Sequence, residues 1–158
     1  MEAVRVAEAA DAESWLGLAT AFVAGLASRR GGPLLLAEAG LPGDGAIGPE
    51  SFEGLLKDPD HRVLMGTLDG HVCGLGMGHL DTLPDGRRLG RLDICYVEPE
   101  ARGVGLGRLL LDTVVGWLTE QGVAGIDGLA LPGDREAKNF FEASGFKARL
   151  LTMHRAAE

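Results

Sequence analysis

The chain has 158 residues, 46% of them hydrophobic and 24% charged, which suits one domain whose core needs no disulfide or structural metal. Its net charge of −8 excludes nucleic acid as the main partner, because phosphate binding needs a basic surface. The two cysteines, Cys73 and Cys95, are too few for a disulfide scaffold and lack zinc-site spacing, so both are expected as reduced thiols.

The N-terminus carries early acids and no apolar stretch of signal-peptide length, so a soluble, cytoplasmic protein without a membrane partner is expected. "AVRVAEA" alternates and reads as a first strand. Asp11 is expected to cap a helix whose apolar positions are Trp15, Leu18, Ala19, Phe22 and Leu26. "SRRGGP" breaks it, and Leu34 to Ala39 form a second short helix. "GLPGDGAIGPE" is the most loop-like stretch, rich in glycine and proline. "PESFEGLLKDPD" is a short helix with Pro49 at its start and Pro59 past its end.

The pattern then switches to strands. "HRVLMGTL" and "HVCGLGMGHLDTL" flank Asp69-Gly70, which favours the tight type I′ hairpin turn. "LPDGRR" makes a longer turn, and "LGRLDICYV" is the next strand. His71, Cys73 and His79 differ by even steps and are expected on one strand face. They lie too far apart along it to share a metal, and none is expected. After a glycine-rich loop comes a helix with Leu106, Leu109, Leu110, Thr113, Val114, Trp117 and Leu118 facing inward, ended by Gly122. "GIDGLAL" is a strand. "GDREAKNFFEASGF" is a helix with Asp134 as N-cap and Gly145 at its end, and "KARLLTMHR" is a final strand. The order predicts a single α/β domain over residues 1–158, with a mixed, mostly antiparallel central sheet flanked by helices.

The loop "RGVGLG" concentrates the chemistry. Gly103 and Gly105 fit a dinucleotide fingerprint, but Arg108 stands where its last glycine belongs, and a Gly-Lys-Ser/Thr triphosphate loop is absent. Exposed N–H groups at a helix start still bind anions, and the helix dipole assists. Arg102 and Arg108 add charge, so a pyrophosphate is the expected guest.

Arg102-Gly103-Val104-Gly105-Leu106-Gly107 matches the Arg/Gln-x-x-Gly-x-Gly/Ala motif of the GCN5-related N-acetyltransferases (GNAT). It follows a strand ending Val97-Glu98-Pro99, and "GDREAKNFFEASGF" is similar to that family's N-x-x-A…Y-E-x-x-G-F segment. The resemblance implies the acyl-CoA N-acyltransferase fold, with acetyl-CoA as co-substrate. Backbone N–H groups of Arg102, Gly103, Val104, Gly105, Leu106, Gly107 and Arg108 would hold its pyrophosphate. Cys95, Tyr96 and Val97 would lie along the pantetheine arm, with a strand N–H polarising the thioester carbonyl. Asp134 and Phe141 hold cofactor-side positions on the last helix. Residues 1–60 would form the acceptor side and residues 61–158 the sheet, CoA loop and final helix and strand. "GLPGDGAIGPE" would then be a candidate cover for the acceptor site that the resemblance implies.

The reaction so implied is direct attack of a primary amine, with no acyl-enzyme. Asp93 is the first candidate to take the amine's proton and Glu98 the second. The family's usual tyrosine is replaced by Phe141, so Tyr96, a water or no group at all serves the leaving thiolate; Asp134 replaces the usual asparagine. Residues 1–79 carry 11 acids and 5 bases, against 12 and 10 in the remainder, which favours a cationic amine of a small molecule, peptide or protein. The last strand is a plausible contact for a homodimer. A non-catalytic acyl-CoA-binding module is the alternative function.

Overall fold

The computed structural model describes residues 1–39 and 49–157. Residues 40–48, most of the expected covering loop, lie outside the described residues. The elements are β1 (Glu2–Val6), α1 (Ala12–Ala27), α2 (Gly32–Glu38), α3 (Pro49–Lys57), β2 (His61–Leu68), β3 (His71–Thr82), β4 (Arg88–Val97), α4 (Leu106–Glu120), β5 (Ile126–Gly128) and α5 (Arg135–Ala143). The strands form one sheet in the order β1-β2-β3-β4-β5. All neighbours run antiparallel except β4 and β5, so the sheet is mixed and mostly antiparallel as expected. The β2–β3 turn is the predicted one: Asp69 and Gly70 both take positive φ, 48° and 85°.

Helices cover both faces. On one side Trp15, Leu18, Ala19 and Val23 of α1, Leu36 of α2 and Phe52 of α3 pack on Val63, Met65, Leu75, Met77 and Ile94. Trp15 and Phe52 stack with ring centroids 5.0 Å apart. On the other side α4 buries Leu106, Leu110, Leu111, Val114, Trp117 and Leu118. Leu111 takes the inward place expected of Leu109, which is 37% exposed, because the helix is rolled with Leu106, Leu110 and Val114 facing the β3 glycines. Gly74, Gly76 and Gly78 of β3 permit that close approach. A Cβ on Gly78 would stand 2.7 Å from Val114 Cγ1 and 3.0 Å from the Arg91 carbonyl.

Two irregularities reset the alternation of the sheet. Gly66 opposes Gly74 while Thr67 opposes Val72, so Cys73 is an extra residue. Met77 opposes Ile94 while Gly78 opposes Leu92, so Asp93 is another. The first bulge breaks the expected shared face of His71, Cys73 and His79. Cys73 turns to the α4 side, whereas Met77, two residues before His79, packs on the α1 side.

Three further expectations are corrected. Asp11 does not cap α1 with its side chain. Its carboxylate instead takes the Glu8 N–H at 2.8 Å and both terminal nitrogens of Arg5 at 2.7 Å. The strand expected in "GIDGLAL" shrinks to Ile126–Gly128, paired only with Gly90–Leu92 of β4. Residues 147–155 form no strand, and Leu150, Leu151 and Met153 are exposed. A strand needs a ladder partner, and the outer edge of the three-residue β5 takes up none.

Candidate active site

β4 and β5 separate immediately after Leu92, and Asp93 is the first residue beyond their ladder. The rest of β4 is paired on its β3 side only. The Glu98 N–H reaches back to the Cys73 carbonyl at 2.9 Å. Bonding direction alternates along a strand, so Cys95 and Val97 turn their backbone groups to the open edge. The Val97 carbonyl there accepts from Arg102 Nε at 2.8 Å. The Cys95 N–H and carbonyl face the open edge, where β4 has no paired strand.

The glycine loop begins where this edge ends. Gly103 and Gly105 have φ of 88° and 93°, and no protein atom lies within 4 Å of a Cβ built on either. Gly105 is the N-cap of α4, and the first turn closes with Leu109 N–H on its carbonyl at 3.0 Å. The N–H groups of Leu106, Gly107 and Arg108 therefore have no partner inside the helix. The N–H groups of Gly103, Val104 and Gly105 just before them also have no backbone partner among the described residues. Arg102 differs, because its N–H turns inward to the Pro99 carbonyl at 3.4 Å. Its guanidinium lies 5.6 Å from the Tyr96 ring centroid. Arg108 pairs with Asp112 at 3.0 Å and donates to the Ala143 carbonyl at 3.3 Å, tying α4 to the end of α5.

The two candidate carboxylates part company. Glu98 is exposed at the end of β4, five residues beyond Asp93. Asp93 is mostly enclosed, with a side chain 15% exposed, and its Oδ2 lies 2.7 Å from His79 Nδ1. His79 Nε2 lies 3.2 Å from Asp81 Oδ1, and Arg91 Nε donates to the other Asp81 oxygen at 2.8 Å. The hydrogen bond that His79 donates to Asp93, and the charges of both carboxylates, hold the His79 pKa above its ordinary value despite burial. The Arg91 hydrogen bond holds Asp81 below the usual carboxylate range. Arg91 also reaches Asp127 of β5 at 3.0 Å, bracing the base of the split.

The Cys95 thiol is held in its neutral form. Burial pushes its thiol up to about 12, and Sγ lies 3.4 Å from the Gly107 carbonyl, joining β4 to the first turn of α4. Tyr96, on the opposite face, meets Phe22 edge-on at 6.4 Å. Asp134 caps α5 by accepting the Ala137 N–H at 3.1 Å, and Arg29 stands 3.8 Å from its carboxylate. Phe141 lies on Gly128, where a Cβ would come within 2.4 Å of the ring, and packs on Phe146 at 5.2 Å.

Asp93, Cys95 and Val97 follow one another along the part of β4 that lies beyond the β5 ladder and leads to the loop. Sequence reasoning missed His79 and Asp81 as neighbours of Asp93, since only the bulged register brings them together.

A glycine-flanked helix start lies beside an unpaired strand edge, at the split of a mixed sheet flanked by helices. The acetyltransferase (GNAT) family model matches residues 35–146, and the chain belongs to that family. No curated protein matches it in sequence. Among solved structures it is similar to a mutant BH1408 protein from Bacillus halodurans, with a TM-score of 0.78 at 20% identity over 99% of each chain. It is also similar to a ribosomal-protein-alanine N-acetyltransferase from Brucella melitensis biovar Abortus 2308, with a TM-score of 0.70 at 18% identity over 100% of both chains. A glucosamine-6-phosphate N-acetyltransferase from Arabidopsis thaliana gives 0.72 at 15% identity, over 100% of this chain and 99% of that one. These likenesses establish the fold, and family membership supports acyl transfer as the class of chemistry.

Proposed function

We propose that the protein transfers an acetyl group from acetyl-CoA to a primary amine of a small molecule, peptide or protein by direct attack. One observation carries this reading: the open edge of β4 runs from Asp93 to the glycine-loop N-terminus of α4. A carboxylate, an unpaired strand edge and a set of anion donors then follow one another along one path. Bound acetyl-CoA supplies an activated acyl carbon and a thiol leaving group.

The chain's own residues have limited tasks. The N–H groups of Gly103 to Arg108 hold the pyrophosphate, aided by the positive end of α4. The Cys95 backbone groups fix the extended arm, and its N–H is the donor for a thioester oxygen. Asp93 takes the proton that an ammonium must lose before it attacks, whereas Glu98 stands apart and exposed. Cys95 stays a thiol at neutral pH, which supports attack without an acyl-enzyme. Tyr96 is the one phenol on β4 for the leaving thiolate, since Phe141 has no proton to give.

The test is release of CoA thiol with acetyl-CoA and a panel of amines: a simple alkylamine, an N-terminal alanyl peptide and glucosamine 6-phosphate. Turnover on a panel member, lowered about 10²- to 10⁴-fold by Asp93→Asn at unchanged CoA affinity, supports the reading. Tight CoA binding without turnover on a broadened panel overturns it in favour of a non-catalytic acyl-CoA-binding module.

A further inference from the structure

His79 is bracketed by carboxylates. Its Nδ1 faces Asp93 of β4 at 2.7 Å, and its Nε2 faces Asp81 of its own strand at 3.2 Å. Ionised carboxylates only accept hydrogen bonds, and a neutral imidazole donates only one. Satisfying both contacts therefore requires a proton on each ring nitrogen. The other charged or titratable groups around the ring fit this state. Arg91 of β4 binds the far oxygen of Asp81. The His61 ring of β2 stacks on the His79 ring at 5.1 Å, and Asp58, before β2, binds His61 Nδ1 at 2.9 Å. Asp58 also senses the charge of His79.

We propose that His79 is a positioning residue for acyl transfer: as an imidazolium clamped between Asp81 and Asp93, it fixes Asp93 by Oδ2 and leaves Oδ1 to receive the acceptor's proton. The inference rests on the reading of Asp93 as proton acceptor. With both ring nitrogens already protonated, His79 has no lone pair to take that proton onward. Its contribution is orientation. The bulge at Asp93 is what makes the pair, because the inserted residue turns the carboxylate onto the face of His79. The stacked His61 then holds the ring in plane.

The experiment uses the full chain and has two arms. In the first, the His79 ring nitrogens are followed by NMR against pH. Both are expected to be protonated at pH 7, with a pKa that falls in Asp81→Asn and in Asp93→Asn. A single protonated ring nitrogen at pH 7 in the wild-type chain overturns the proposal. In the second, kcat and KM are measured with acetyl-CoA and the panel amine giving the fastest turnover. His79→Gln is expected to lower kcat about 10- to 100-fold with KM for acetyl-CoA unchanged, because the carboxylate is present but loosely held. Adding His79→Gln to Asp93→Asn is expected to cost nothing more, since one residue acts through the other. Near-wild-type kcat in Asp93→Asn sinks the reading of Asp93 and this proposal with it. Loss in Asp93→Asn with wild-type kcat in His79→Gln sinks this proposal alone. A matched Tm across the variants separates these effects from unfolding.

Discussion

Replacing Gly105 and Gly107 one at a time by alanine separates two glycines that look equivalent in "RGVGLG". Gly105 has φ of +93° and no protein atom within 4 Å of an added Cβ. The cost of alanine there is therefore one of backbone conformation, about 1–2 kcal/mol. Gly107 lies inside α4, and its Cβ would meet Val97 Cγ2 at 3.7 Å and the Phe140 ring at 3.8 Å, both ordinary contacts. Alanine at this position is expected to stabilise by about 0.5–1 kcal/mol through helix propensity. The two variants should differ by about 1.5–3 kcal/mol, or roughly 3–12 °C in Tm for a chain of this size.

Binding should separate them further. Alanine at 105 rotates the peptide units that aim the first N–H groups of α4, and one charge-assisted hydrogen bond is worth about 1.5–3 kcal/mol. CoA affinity should fall about 10- to 150-fold in Gly105→Ala and stay near wild type in Gly107→Ala. Urea unfolding and calorimetric titration with CoA give the two numbers. Equal stabilities, or an equal loss of CoA affinity in both variants, would refute the assignment of the loop.

Two other outcomes follow from packing and charge. Gly78→Ala forces a methyl within 2.7 Å of Val114 Cγ1 and 3.0 Å of a backbone carbonyl, and should destabilise by about 1–3 kcal/mol in urea unfolding; a variant as stable as wild type would show that α4 can lift freely from β3. The raised pKa of His79 adds stability that is complete below its unfolded value of about 6.5 and is lost as pH rises through the folded value. The stability gap between wild type and His79→Gln should therefore be wider at pH 6 than at pH 9, and a gap independent of pH contradicts the clamp.

Much of this was legible in the residues themselves. Asp69-Gly70 announces its turn because that turn type needs two positive φ values. The loop announces itself because Gly103 and Gly105 meet a backbone requirement, not a packing preference. The alternate glycines of β3 carried a signal too: with period two they clear one sheet face for α4, as Gly74 and Gly78 show. The bulges at Cys73 and Asp93 left no comparable mark. Register is decided by what packs on the two faces and by the neighbouring strand, and a single inserted residue looks ordinary in the chain. Hence Asp93 could be singled out as an acid in an apolar strand while its partner His79 could not. Leu109 and Leu111 were exchanged for the same reason, since helical spacing does not fix how the helix is rolled on the sheet. "KARLLTMHR" has strand composition, but composition does not supply a ladder neighbour.

The contiguity of β2, β3 and β4 has a bearing on how the site comes into being. These strands pair with their neighbours in sequence through short turns, so their ladders close small loops at little entropic cost. His79, Asp81 and Asp93 all lie within this meander, and His61 begins it. β1 must return across the whole span of α1–α3, and β5 arrives only after α4 has crossed over. The charged cluster around His79 is thus locally encoded. The glycine-loop end, proposed to hold the anion, is assembled by long-range docking of α4, so the two ends of the open β4 edge should form at different stages of folding.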